Sequence, residues 1–154
     1  MANKVILHEP TDIFSLKVDA IVNPVNIRKI AGAGLAKQFA EKYPEEHLSY
    51  LDACEQNAIG INKVHVASTR QNFDPKYIIY FATKDHWRDP SRYLYITLGL
   101  SSLEQEISIY KIKSIAIPAL GCGLGQLEFE VVKALVWDEL KVIKDLDVFL
   151  MAPH

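Results

Sequence analysis

Residues 114–130 read SIAIPALGCGLGQLEFE: an apolar run, then glycine at every second position, then the start of a helical pattern. The run Ile115-Ala116-Ile117 has the length and content of a buried strand. Pro118 stops it, because proline has no amide to give to a sheet ladder. Gly121, Gly123 and Gly125 permit positive φ and close backbone approach. From Gln126 to Glu130 the chain leads into a helix with Val131, Leu135 and Val136 on one face. A strand, a glycine-rich turn and a helix start together form an anion cradle, since free amides at a helix start point at a negative group. Taken alone, the segment fits a tight strand–helix turn with no ligand equally well.

A second segment repeats the pattern. Val18 to Val22 is another short apolar strand, followed by Asn23-Pro24-Val25-Asn26, by Ile27 to Ala31, and by Gly32-Ala33-Gly34. Leu35, Ala36 and Phe39 then open an amphipathic helix that runs to Tyr43, where Pro44 interrupts it. In open α/β sheets such loops gather beyond the carboxyl ends of the strands, where ligands bind. Two cradles side by side suit a diphosphate better than a single phosphate. The chain has no GxxxxGK[ST], which argues against a P-loop ATPase. Its spacing is GxGxG and not GxGxxG, with no acidic residue at the Rossmann position, which argues against a hydride-transferring dehydrogenase.

At 154 residues the chain is expected to form one domain over 1–154. A formal net charge of −2 gives no global basic field, so a general nucleic-acid coat is not expected, though a local basic patch stays open. No apolar run approaches the roughly 20 residues of a membrane helix, and the N-terminus lacks a signal-peptide core. Cys54 and Cys122 read as free thiols of a reducing compartment. The expectation is a cytoplasmic monomer with no membrane contact. The histidines at 8, 47, 65, 86 and 154 show no ligand spacing with the cysteines or with each other, so neither a metal nor a cofactor is expected.

Strands are expected at Lys4–Leu7 (an edge), Val18–Asn23, Val64–Ala67, Tyr77–Ala82, Ser114–Pro118 and Val148–Met151. Helices are expected at Gly34–Tyr43, Glu46–Gln56, Ser91–Ile107 and Glu128–Lys144. Thr11-Asp12 reads as a turn or cap before Ile13. Strands alternating with helices predict an α/β protein, a three-layer α/β/α sandwich with a mixed central sheet.

The ordered set Thr11-Asp12-Ile13-Phe14, Asp19 to Asn26, Gly32-Ala33-Gly34-Leu35-Ala36 and Gly121-Cys122-Gly123-Leu124-Gly125 resembles a macrodomain over nearly the whole chain. The segment Phe81 to Arg88 resembles the branch containing the DNA de-ADP-ribosylating antitoxin DarG and the glutamate-directed terminal ADP-ribose glycohydrolase. Gly125 is similar to the former, since the latter has an aspartate there. The resemblance implies ADP-ribose, free or attached, as ligand. Asp12 and Ile13 would hold the adenine, Asn26 would contact the distal ribose, and Thr83 would be a further ligand-binding residue. Gly32, Ala33, Gly34, Gly121, Cys122, Gly123, Leu124 and Gly125 would hold the diphosphate and distal ribose. Lys84 would be catalytic at the anomeric carbon, where a lysine amine can attack or protonate. Ala33 stands where the DarG-like loop carries lysine, and Ile27-Arg28-Lys29-Ile30 stands where that family tends to be neutral. Both departures bear on the target.

Beside these roles stand plainer ones. Lys84 fits a solvated surface lysine, Asp12 a helix N-cap, and Asn26 a turn residue. His86, Trp87 and Arg88, with Arg28, Lys29 and Arg92, fit a rim contacting a base or phosphates of the target. Trp87 equally fits packing on the helix that follows. Cys122 lacks a partner for nucleophilic catalysis. The expected function is an ADP-ribosyl glycohydrolase acting on a modified target, with a base in single-stranded DNA as the candidate. Two rivals stay open: a non-catalytic ADP-ribose-binding module, and an ADP-ribose 1″-phosphate phosphatase.

Overall fold

The computed structural model describes residues 4–8, 11–28, 34–86 and 88–153. Short β-branched runs form strands β1 (Lys4–Leu7), β2 (Ala20–Asn26), β3 (His65–Ser68), β4 (Tyr77–Lys84), β5 (Ser114–Ile117) and β6 (Asp147–Met151). Between them lie helices α1 (Gly34–Lys42), α2 (Pro44–Glu55), α3 (Tyr93–Ile109) and α4 (Phe129–Leu140). The sheet order is β1-β6-β5-β2-β4-β3. All neighbours are parallel except β3, which runs antiparallel to β4. The sheet is therefore mixed, as expected, with β1 and β3 at its edges.

Alternation along each strand sorts the apolar residues onto two faces. Ala20 and Val22 of β2, Ile79 and Phe81 of β4, and Ile115 and Ile117 of β5 join one core with Ile96, Leu100 and Leu103 of α3 and Val132 and Val136 of α4. Ile21, Val25, Ile78, Tyr80 and Ala116 join the other with Phe39 of α1 and Tyr50 and Ala53 of α2. Helices thus cover both faces, giving three layers. Gly99 shows how closely α3 approaches the sheet. Glycine within a helix costs about 1 kcal/mol relative to alanine, yet a Cβ here would enter the Phe81 ring. Close packing over β4 wins.

The structure corrects some boundaries. β2 runs on through Pro24 to Asn26, three residues past the expected end. Its pairing with β5 stops at Ile21, whereas β4 follows it to the end. Proline is tolerated where one side of a strand is unpaired. Pro44 ends α1 and is the first residue of α2, where its missing amide costs nothing. The last expected helix stops at Leu140, with Lys141 and Ile143 in a closing turn.

Glu139 of α4 faces α3. Its carboxyl is pushed up to about 7, chiefly by a hydrogen bond shared with Glu104, then by burial and by the charges of Glu104 and Asp138. Its ordinary value is about 4.3. The folded state therefore holds more protons across that window, and the contact's contribution is full below the ordinary value and lost as pH rises through 7. Glu104→Gln should raise the melting temperature relative to wild type at about pH 8, and the gain should shrink at about pH 5. Thermal melts across this range check it; a pH-independent difference would contradict it.

Candidate functional site

β5, β2 and β4 are adjacent and parallel, so their carboxyl ends emerge side by side. After β2 the chain turns toward α1 on one face; after β5 it turns toward α4 on the other. Such a divergence leaves a crevice. A cavity of about 640 Å³ lies there, lined by Pro24, Val25 and Asn26 of β2, Gly34, Leu35 and Ala36 of α1, Thr83 and Lys84 of β4, and Pro118, Ala119, Gly121, Gly123, Leu124 and Gly125 after β5. Gly34, from the first glycine segment, and the Gly121–Gly125 loop thus line the same cavity.

The glycine loop is folded by its own backbone. Cys122 N–H donates to Ala119 O at 3.1 Å, Gln126 N–H to Gly123 O at 3.0 Å and Leu127 N–H to Gly121 O at 2.8 Å. Among the described residues, the amides of Gly121, Gly123, Leu124 and Gly125 donate no backbone hydrogen bond. All four of these residues line the cavity, so the loop offers donors where an anion would sit. Gly121 has φ +73°, the left-handed region that favours glycine. A Cβ on Gly125 would strike Ser91 Oγ and the Gly121 carbonyl, whereas one on Gly123 would meet nothing within 4 Å.

The β4–α3 segment is fastened onto this loop at three points. Lys84 Nζ donates to Leu124 O at 3.2 Å. Ser91 N–H donates to Gly125 O at 3.0 Å. Tyr93 Oη accepts from Glu128 N–H at 3.0 Å. Lys84 therefore stands at the cavity and is held against the glycine loop. Thr83 beside it is buried. Asn26 is buried and caps a turn, its Oδ1 accepting from Arg28 N–H at 2.8 Å.

The other expected site residues lie elsewhere. Asp12 caps a short 3-10 turn over Ile13–Ser15, its Oδ1 accepting from Phe14 N–H at 3.0 Å. Ile13 is buried in the core beneath α1 and α2. Neither lines the cavity. Cys122 does not line it either; its thiol donates to Leu120 O at 3.5 Å, and burial pushes its pKa up, away from thiolate chemistry. Arg28 pairs with Asp85 at 3.3 Å. Arg88 approaches both ring nitrogens of His86, at 3.2 and 3.3 Å. A neutral imidazole has one acceptor nitrogen, so only one contact is a hydrogen bond at a time. Gly32, Ala33, Lys29 and Trp87 lie outside the described residues. Among the described residues, no three His, Cys, Asp or Glu side chains gather as metal ligands would, and no helix is long and apolar enough to cross a membrane.

Residues 22–136 match the Macro domain family. The chain belongs to the macrodomain family. It is 38% identical over 142 residues to the DNA ADP-ribosyl glycohydrolase of Mycobacterium tuberculosis, covering 92% of this chain and 40% of that protein. The protein of the same name from Thermus aquaticus is 34% identical over 142 residues, covering 92% and 39%. The chain thus spans about 40% of the length of these curated relatives. Among solved structures it is similar to the macrodomain of Mycobacterium tuberculosis DarG, with TM-score 0.93, 36% identity and coverage of 99% and 100%. It is also similar to Thermosipho africanus DarTG in complex with ADP-ribose, with TM-score 0.87, 26% identity and coverage of 99% and 42%.

Sequence reasoning missed part of this macrodomain's cavity. Pro24, Val25, Leu35, Ala36, Pro118 and Ala119 line it, yet the sequence reading gives none of them a site role. Ser91 gave no local signal, because its contact with Gly125 closes over 33 intervening positions. That contact makes Gly125 the less replaceable glycine. Gly125→Ala should cost about 1–3 kcal/mol of stability by overpacking, while Gly123→Ala, opening into space, should cost far less. Denaturant unfolding of the two variants checks the order; equal losses would contradict it.

Proposed function

We propose that this macrodomain is an ADP-ribosyl glycohydrolase that binds ADP-ribose and removes it from a base in single-stranded DNA. The observation that carries the reading is Lys84 at the cavity, with its Nζ 3.2 Å from the Leu124 carbonyl of the glycine loop. The names of the similar proteins, DNA ADP-ribosyl glycohydrolase, support it. So does the likeness to a structure holding ADP-ribose.

In this reading the amides of Gly121, Gly123, Leu124 and Gly125 hold the diphosphate by hydrogen bonds that need no net positive charge. Cys122 shapes the loop between them, and Gly32, Ala33 and Gly34 complete the cradle from the α1 side. Asp12 and Ile13 take the adenine end; the cap at Asp12 Oδ1 leaves its other carboxylate oxygen for the exocyclic amino group. Asn26 and Thr83 meet the distal ribose. Lys84 acts at its anomeric carbon, as nucleophile or proton donor. The net change is hydrolysis: the hydroxyl of water goes to the anomeric carbon and its proton to the departing base. The same reading makes the protein a cytoplasmic monomer and an antitoxin that reverses a DNA-modifying ADP-ribosyl transferase. A relative from Thermosipho africanus, 28% identical, is named as a fusion of those two activities.

Lys84→Ala should lower ADP-ribose release by roughly 10²-fold or more, while the calorimetric affinity for ADP-ribose stays near wild type. That pattern is the loss of an interaction made only at the chemical step. Gly123→Glu should do the reverse, weakening binding by placing a carboxylate in the cradle. Wild-type turnover in Lys84→Ala would instead favour a module that only binds ADP-ribose.

The target is tested by turnover on ADP-ribosylated single-stranded DNA beside ADP-ribosylated glutamate in protein. Arg28, Arg88 and Arg92, with Lys29 and Trp87, form the proposed rim for the strand. Two or three phosphate contacts should make DNA turnover at low substrate fall roughly tenfold between about 50 and 200 mM salt. Activity on the protein substrate with none on DNA would overturn the target.

A further inference from the structure

Tyr50 sits on α2, far in sequence from every motif of the site, and is 1% exposed. Its hydroxyl donates to the backbone carbonyl of Asn26. Asn26 is the last residue of β2 and pairs in the sheet with Lys84. The register shifts just before it: Val25 pairs with Ala82 and Asn26 with Lys84, so Thr83 is the extra residue of a bulge. A bulge re-aims the side chains around it and leaves the local ladder weaker. The strand end that sets the place of Lys84 is therefore one the ladder itself holds poorly.

We propose that Tyr50 is a positioning residue that fixes the bulged end of β2 through the Asn26 carbonyl and thereby sets the place of Lys84 at the cavity. The ring alone would serve the core. It stacks on Tyr80, with centroids 5.0 Å apart and planes 10° from parallel. The hydroxyl of Tyr80, equally deep, has no hydrogen-bond partner among the described residues. Two hydroxyls thus lie in one stack, and the one on Tyr50 is spent on the backbone of the site. Asn26 is clamped at a second atom as well, its Oδ1 by Arg28 N–H. Carbonyl and side chain are both held, so the residue opposite Lys84 has little freedom to drift.

The proposal rests on the glycohydrolase reading, and one experiment separates the two. Wild type, Tyr50→Phe, Tyr80→Phe and Lys84→Ala are compared for release of ADP-ribose from ADP-ribosylated single-stranded DNA, and for calorimetric affinity for ADP-ribose. Tyr50→Phe keeps the ring and the stack. It should lower kcat by about 10- to 100-fold, as small misplacements of a reacting group do, with KM and ADP-ribose affinity close to wild type. Tyr80→Phe removes from the same stack a hydroxyl that bonds nothing among the described residues, and should match wild type throughout. A wild-type kcat in Tyr50→Phe beside an inactive Lys84→Ala sinks this proposal alone. So does an equal loss in Tyr80→Phe, which would mark a general softening of the core. A wild-type protein that releases nothing, or a Lys84→Ala variant that keeps pace with it, sinks the glycohydrolase reading and this proposal together.

Discussion

β2 is hydrogen-bonded on both sides only as far as Ile21; beyond that β5 has left it and β4 alone follows. Pro118 ends β5, because proline cannot extend the ladder. Pro24 of β2 lacks an amide in the stretch where β5 no longer pairs with it, so its substitution for an ordinary strand residue costs no bond on that side. The two prolines act together. They part the strands, and the space between becomes the cavity. Because β2 and β5 hand the chain to helices on opposite faces, a crevice is left between them, with the start of α1 lining one side.

What fills the rim of the cavity is a loop that would be floppy by composition. Gly121, Gly123 and Gly125 lose more entropy on ordering than any other residue type. Three internal hydrogen bonds and three contacts from the β4–α3 segment offset that loss. The tightest point is Gly125 against Ser91 and Gly121, where no side chain fits. Glycine there is required by contact; at Gly121 it is favoured by φ; at Gly123 neither applies. Exposed Leu124, 79% accessible, is the apolar exception on the loop. Its carbonyl, not its side chain, is what engages Lys84.

The layers were legible in the sequence because burial writes itself as period. Alternating Ile78, Ile79, Tyr80 and Phe81 divide between two cores, and the helical stripes of α3 and α4 cover one of them. The glycine loops were legible because few other residues can make such turns. Contacts between segments were not. Nothing local to Ser91 announces Gly125, and nothing local to Tyr50 announces Asn26. Asp12 and Asn26 each carry a structural bond that the sequence offered as a rival to a ligand role, and both bonds are present. Short polar side chains bond their own backbone so readily that a capping role and a binding role share one signature.

Charge at the cavity mouth is sparser than a count of arginines suggests. Arg28 and Asp85 are 55% and 41% exposed, so their pair is worth about 0–1 kcal/mol. It still matters locally. Asp85 follows Lys84 directly, and an unpaired carboxylate there would repel a phosphate approaching the lysine. Arg28 offsets that repulsion and adds little beyond it. A diphosphate in the cradle depends instead on backbone amides, whose dipoles are fixed by the loop and carry no formal charge. On the reading proposed above, a chain of net charge −2 can hold a ligand with two phosphates because the anion is met by the geometry of the loop amides and not by formal charge.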